Sequence, residues 1–293
     1  VIVSETQTAP AGNTANQGFM EKHHFLLRRL HSLTGIVPIG VFLLNHLLTN
    51  SSMAWGGAAL RHPHEGGMAA GGVEYFWDEV KWINEQIPHL LLIEITLWLA
   101  IGFHSVLGVY YATTGKSNTD RYAYQGNWRY KLQRISGYVG IFYILYHIAT
   151  LRWGWTWLIP GGTKWDYLYA SSTLAAALQG GMDGWTVKGM LVSAFYFIGV
   201  SLLVFHFANG LWTAAITWGV TVSRKAQVRW GVACAGLGTG LMLMAWSSLI
   251  AAFLMKPAEV MKVEKALIEK HAEVQPIGAE KLGTPGNSSA VGR

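Results

Sequence analysis

Residues 25–50 read FLLRRLHSLTGIVPIGVFLLNHLLTN, and the fold is decided by how this stretch is read. From Leu26 to Asn50 it is apolar enough, and at roughly 20 residues or more long enough, to cross ~30 Å of hydrocarbon as a helix. Its charges, Arg28 and Arg29, sit together at one end, and Pro38 in its middle predicts a kink. Four more stretches repeat the pattern: Pro88–Thr114, Lys131–Leu151, Val187–Val222 and Trp230–Met255. Each is far too long for a strand, and an open sheet could not satisfy its backbone in lipid. The sequence therefore predicts an all-α integral membrane protein with five transmembrane helices. The fourth is longer than a bilayer needs and is expected to project beyond it on one side.

Composition points the same way. Of 293 residues, 13% are charged and 51% hydrophobic, against about 25% charged in an ordinary soluble domain. The 14 tryptophans suit membrane interfaces. A single cysteine, Cys234, excludes an internal disulfide, a four-thiolate cluster and thioether haem attachment. The domain reading is a polar, disordered N-terminal arm over 1–24, a transmembrane domain over 25–255, and a charged, flexible C-terminal tail over 256–293. The arm lacks the layout of a secretory signal.

Basic residues set the orientation. Lys22, Arg28 and Arg29 precede or open the first span; Lys116, Arg121, Arg129, Lys131 and Arg134 gather between the second and third; Arg224, Lys225 and Arg229 lie between the fourth and fifth. The alternate connections mix Arg61, Lys81, Arg152 and Lys164 with Glu65, Glu74, Asp78, Glu79, Glu85, Asp166 and Asp183. The expected topology has the N-terminus in the cytoplasm and the C-terminus outside. The basic clusters coincide with the inner membrane edge, so they imply no nucleic acid.

Four histidines fall well within the spans, one on each of the first four: His46, His104, His147 and His206. An ionisable side chain at membrane depth is by default functional, because lipid offers it no hydration. At ~1.5 Å per helical residue, His46 and His147 lie roughly 8 Å below the outer face. His104 and His206 lie roughly 24 Å and 27 Å below it by the same rise. Two histidines at each of two depths is the arrangement needed for bis-imidazole ligation of two haems, in a four-helix bundle with the fifth helix beside it. The expected pairs are His46 with His147 for an outer haem b and His104 with His206 for an inner haem b. With both axial positions filled, such haems would carry electrons rather than bind oxygen. Glycines suit the approach of a flat macrocycle or of another helix: Gly102, Gly108 and Gly210 beside the ligands, and Gly35, Gly40, Gly137 and Gly140 on the first and third spans.

The first stretch, together with GFHSVLGVYYA from Gly102, WRYKLQRISGYVGIFYILYHIATLR from Trp128 and FHFANGLWTAAITWGVTVS from Phe205, resembles the cytochrome b subunit of bacterial succinate dehydrogenases. The resemblance is to the class with one large anchor and two haems, and covers about Phe25 to Met255; dihaem fumarate reductase anchors are more distant relatives. It implies axial ligands at His46, His104, His147 and His206. It also implies a flavoprotein subunit and an iron–sulfur subunit on the cytoplasmic side of a bacterial inner membrane. The anchor would exchange electrons between the iron–sulfur subunit and membrane quinone, menaquinone in many such complexes, and would not oxidise succinate alone. Dihaem fumarate reductases carry a Glu two residues before the fourth-helix ligand, thought to carry compensating protons; here Val204 stands there. Without that compensation the membrane potential would influence the direction of reaction.

Other residues take expected roles with ordinary alternatives. Arg29, His31 and Arg134 are candidates for the haem propionates, since a guanidinium fork matches a carboxylate; simple positive-inside anchoring is the alternative. Glu94, the one acid well inside a span, is a candidate member of a quinone site near the outer haem, or else a structural hydrogen-bonding group. Two other readings of the chain are a haem-b anchor of another respiratory dehydrogenase and a transporter using its histidines as a proton relay. A transporter would be expected to show internal repeats, and the only echo is Arg29, Ser32 and Gly35 against Arg134, Ser136 and Gly137.

Overall fold

The computed structural model describes residues 18–59, 67–115 and 125–274, and among them every regular element is helical. In chain order these are α1 (Phe19–Lys22), α2 (His24–Ile36), α3 (Pro38–Ala59), α4 (Gly67–Gln86), α5 (Leu90–Thr114), α6 (Gln125–Leu151), α7 (Ala170–Gln179), α8 (Val187–Thr217), α9 (Arg224–Leu254) and α10 (Pro257–Val274). Two 3-10 turns, Thr156–Leu158 and Tyr167–Tyr169, lie between α6 and α7. Most of the expected N-terminal arm, the end of the tail, and the Lys116–Arg121 part of the second inner connection fall outside the described residues.

Local chemistry sets the helix ends. Thr186 and Ser223 occupy the N-caps of α8 and α9, accepting from Gly189 N at 3.0 Å and Ala226 N at 3.2 Å, and so satisfy amides that have no partner within the helix. Between α2 and α3 the chain stays nearly helical: Val37 N donates to the Leu33 carbonyl at 2.8 Å and Val41 N to the Val37 carbonyl at 3.3 Å, while Pro38 supplies no N–H and leaves one bond of the ladder unmade. α7 stops at Gly180, which sits at φ 102°, a conformation costly for residues with a Cβ.

Among the described residues, four helices are long and apolar enough to cross a membrane: α2 continued by α3, α5, α8 and α9. The outward face of α5, for example, carries Leu99 and Val106, each 70% exposed, and surfaces of that kind suit hydrocarbon rather than water. α6, expected as the third span, has 27 residues but does not meet that criterion. Arg129, Lys131, Gln133, Arg134 and four tyrosines dilute its apolar content.

Neighbouring helices form a square. α2 packs beside α5, α5 beside α6, α6 beside α8, and α8 beside α2. The diagonals therefore run from the α2–α3 helix to α6 and from α5 to α8. α9 lies outside the square, against α8 and α3.

At one end of the bundle α4, α7 and α10 pack together as a cap against α3, α8 and α9. The sequence alone suggests connections there and a charged tail with at most a short solvated helix; the structure instead packs these segments as helices. α4 packs along α3 and buries Val73, Phe76, Trp77 and Val80. All ten residues of α7 are buried. Its Gln179 donates to the carbonyls of Ala252 at 2.9 Å and Met255 at 2.8 Å, capping the end of α9. α10 packs on α7 and α4 and buries Val260, Glu264 and Leu267. The physical reason is that α9 ends beside an apolar layer which α10 completes. Beside this cap runs a series of ring contacts from Trp98 through Trp153 and Trp155 to Trp157, the residue type that collects where lipid meets water.

Candidate cofactor site

α3 and α6 face one another across one diagonal, and there the rings of His46 and His147 meet with centroids 5.7 Å apart and planes at 85°. Across the other diagonal, His104 of α5 meets His206 of α8 at 6.2 Å and 80°. These are the two pairs that the depth arithmetic put at common levels. Two imidazoles binding one metal from opposite sides, with bonds of about 2 Å and a ring radius of about 1 Å, have centroids about 6 Å apart. Among the described residues no group of three or more His, Cys, Asp or Glu could hold a bare metal ion. The donor set, two facing imidazoles and nothing else, fits a prosthetic group that brings its remaining donors with it, as haem does.

The inner pair is held by a device that occurs twice. His104 Nδ1 lies 2.8 Å from the carbonyl of His31 on α2, and its ring lies over Gly35, four residues further on. His206 Nδ1 lies 3.1 Å from the carbonyl of Gln133 on α6, and its ring lies over Gly137, again four residues further on. A carbonyl can only accept, so each Nδ1 carries the proton and each Nε2 is left as the free donor atom. This is how metal-binding histidines are usually oriented. A Cβ at Gly35 would come within 2.6 Å of His104 Cε1, and one at Gly137 within 3.1 Å of His206 Cε1. These two glycines thus accommodate histidine rings from neighbouring helices.

The outer pair is held mainly by packing. His46 stacks on Phe42 at 5.2 Å, and Asn50 Nδ2 donates to the His46 carbonyl at 2.7 Å and lies 3.4 Å from the His46 Nδ1. His147 stacks on Tyr143 at 5.8 Å and meets the edge of Tyr196 at 5.9 Å, while its buried Nδ1 has no partner.

Of the propionate candidates, Arg29 and His31 each bear a buried polar atom without a partner, Nε and Nδ1 respectively. His31 stacks on His104 with centroids 4.0 Å apart, while the Arg29 guanidinium lies over the rings of Phe25 at 4.2 Å and Trp218 at 5.4 Å. Unpaired polar atoms buried in a protein call for an explanation, and an anionic group beside His104 would provide one. Tyr111, which the sequence reading passed over, has a buried, unpartnered hydroxyl and sets its ring edge-on to His31 at 5.8 Å. Arg134 instead lies over the Tyr130 ring at 5.5 Å. Glu94 is ion-paired with Arg152 at 2.8 Å, bridging α5 and the end of α6. Gln133 and Ser136 were also missed; the one signal available was their spacing on the face of α6 that carries Gly137.

No family model matches the chain, and no solved structure matches it. It is similar to the succinate dehydrogenase cytochrome b558 subunit of Bacillus subtilis (strain 168), 31% identical over 204 residues, or 69% of this chain and 84% of that protein. Similarity of that degree, extending over most of the relative, makes this chain a member of the succinate dehydrogenase cytochrome b subunit family.

Proposed function

We propose that the chain is the membrane anchor of a succinate:quinone oxidoreductase and holds two b haems. One would lie between His46 and His147, the other between His104 and His206. The observation that carries this reading is the meeting of four intramembrane histidines, ring to ring, across both diagonals of one square bundle. A bound haem supplies a one-electron carrier. The chain's part would be to present one ring nitrogen from each of two histidines to each haem, leaving no place on the iron for oxygen.

In this reading α6 is the fifth span. It is long enough at ~1.5 Å per residue, it stands between two helices that qualify as spans, and its Gln133 and Ser136 turn inward to His206. Arg28, Arg29, Arg129, Lys131, Arg134, Arg224, Lys225 and Arg229 sit at the end of the square away from the cap and close to the span ends, while in the cap Lys81, Arg152, Lys164 and the lysines of α10 are interspersed with Glu74, Asp78, Glu79, Asp166 and Glu264. The positive-inside rule then puts the N-terminus in the cytoplasm and the cap outside. The iron–sulfur and flavoprotein subunits would dock at the basic end. Arg29 and His31 would receive the propionates of the inner haem, with Arg134 a more distant third. Membrane quinone, menaquinone by the family resemblance, would exchange electrons at the outer level, where Glu94 takes part as half of its ion pair with Arg152.

The test is a dithionite-reduced-minus-oxidised spectrum with haem quantification on the complex purified in mild detergent. The expected result is b-type bands and about two haems per chain; a colourless protein would end the haem reading. A second expectation follows from the glycines. Gly35→Val should release about one haem without altering any ligand, because its side chain would occupy the position of the His104 ring. Gly102→Ala, with nothing within 4 Å of its Cβ position, should keep both. Haem content of the two variants checks this.

A further inference from the structure

The square contains a second polar feature near the inner pair that ligation itself does not require. The Arg129 guanidinium donates to Asn209 Oδ1 through Nε at 3.1 Å and Nη2 at 2.7 Å. Asn209 Nδ2 donates to Gln133 Oε1 at 2.8 Å. Gln133 Nε2 donates to the carbonyl of His206 at 3.0 Å, and the Gln133 carbonyl receives His206 Nδ1. Ser136, fully buried, donates to the same Gln133 carbonyl at 3.1 Å and lies 3.2 Å from His206 Nδ1.

The direction of every bond in this chain is fixed by its first member. Arginine has donors only, so the oxygen of Asn209 must face it and the nitrogen of Asn209 must face Gln133. That turns the oxygen of Gln133 toward Asn209 and leaves its nitrogen for His206. Neither amide can flip without setting two donors or two acceptors against each other. Asn209 is 4% exposed, and within such surroundings an unmatched polar group costs about 1–3 kcal/mol. Arg129 is held in turn over the Trp212 ring at 4.2 Å. The network ties α6 to α8 and ends on both the backbone and the ring of one histidine.

Resting on the haem reading above, we propose that Arg129, Asn209 and Gln133 are positioning residues that lock the ring plane of His206 and set the reduction potential of the inner haem. The Arg129 cation opposes the added positive charge of the oxidised iron and so favours the reduced state. The amide chain fixes the rotation of the His206 ring about the iron–nitrogen axis. The outer pair shows no comparable network among the described residues: His147 Nδ1 is unpartnered, and His46 Nδ1 lies 3.4 Å from the amide nitrogen of Asn50 on its own helix.

The experiment is a redox titration of the purified complex with haem content and low-spin electron paramagnetic resonance, comparing wild type with Arg129→Gln, Arg129→Lys and Asn209→Leu. In Arg129→Gln, the haem that His206→Ala removes should show a roughly tenfold lower reduced-to-oxidised ratio at fixed potential, which is ~59 mV for one electron. The other haem should be unchanged. Arg129→Lys should restore most of that ratio. Asn209→Leu should move the g-values of the same haem, which report the ring planes. Unchanged potentials and g-values in all three variants with both haems bound, or equal shifts of both haems, would overturn the proposal. A wild type without two b haems would instead overturn the reading on which it rests.

Discussion

His104→Ala is expected to leave about one b haem per chain where the unaltered protein is expected to hold about two, and His206→Ala is expected to lose the same one. His46→Ala and His147→Ala should both lose the other, and combining His46→Ala with His104→Ala should give a colourless protein. The reasoning is geometric. Each haem iron would depend on one histidine from each end of a diagonal, so removing either member leaves a single protein bond in a slot shaped for two. The rings that meet are His46 with His147 and His104 with His206, so the four single variants must fall into two classes. Haem quantification with resolved low-temperature spectra measures this directly. If His104→Ala and His206→Ala removed different absorption bands, the pairing would be wrong even with the haem count right.

The helical fold was legible because each long apolar run is too long for any other structure and because lipid forces backbone hydrogen bonds to close within a segment. The histidine levels were legible because helical rise converts sequence distance into depth. α6 was harder, for its inward face carries Gln133, Ser136 and His147 and its entry carries three cations, so composition alone undervalues it. The cap was hidden by different means. In α4, the buried residues Val73, Phe76, Trp77 and Val80 follow helical periodicity, but Glu74, Asp78 and Glu79 between them give the segment the appearance of a charged loop. In α7, every face packs, and a helix buried all round has no amphipathic stripe to detect. The network behind His206 was illegible for a related reason. Asn209, Gln133 and Arg129 have the composition of a solvated face, and only the crossing of α6 and α8 brings them together.

α10 shows most clearly how a polar residue can occupy a core position. Glu264 is 0% exposed, and its carboxylate receives Ser171 N at 2.8 Å, Ser172 N at 3.3 Å and the Ser172 hydroxyl at the start of α7. Burial nevertheless pushes this carboxyl up to about 7; the three donors act in the opposite direction, and nearby Asp166 adds to the rise. A carboxyl whose pKa is higher in the docked helix than in the undocked one stabilises docking fully below the free value, near 4.5. That contribution is lost as pH rises through about 7. The loss amounts to about 3 kcal/mol, taking 1.36 kcal/mol per unit. Undocking of α10, followed by hydrogen exchange or limited proteolysis of the purified complex between pH 5 and 9, should therefore become easier with rising pH. Glu264→Gln should abolish that part of the dependence and hold α10 more firmly than wild type at pH 8. Its carbonyl can still accept from both amides, and its nitrogen can donate to Ser172 Oγ while that hydroxyl turns to the Tyr169 carbonyl. Glu264→Leu leaves the donors of Ser171 and Ser172 without partners and should loosen α10 at every pH, by about 3 kcal/mol. His271 lies 3.9 Å from Asp78 in the same interface, so the share belonging to Glu264 is only what the glutamine variant removes. A wild type whose α10 protection does not change with pH, or a glutamine variant as loose as the leucine one, would mean that burial does not govern this carboxyl.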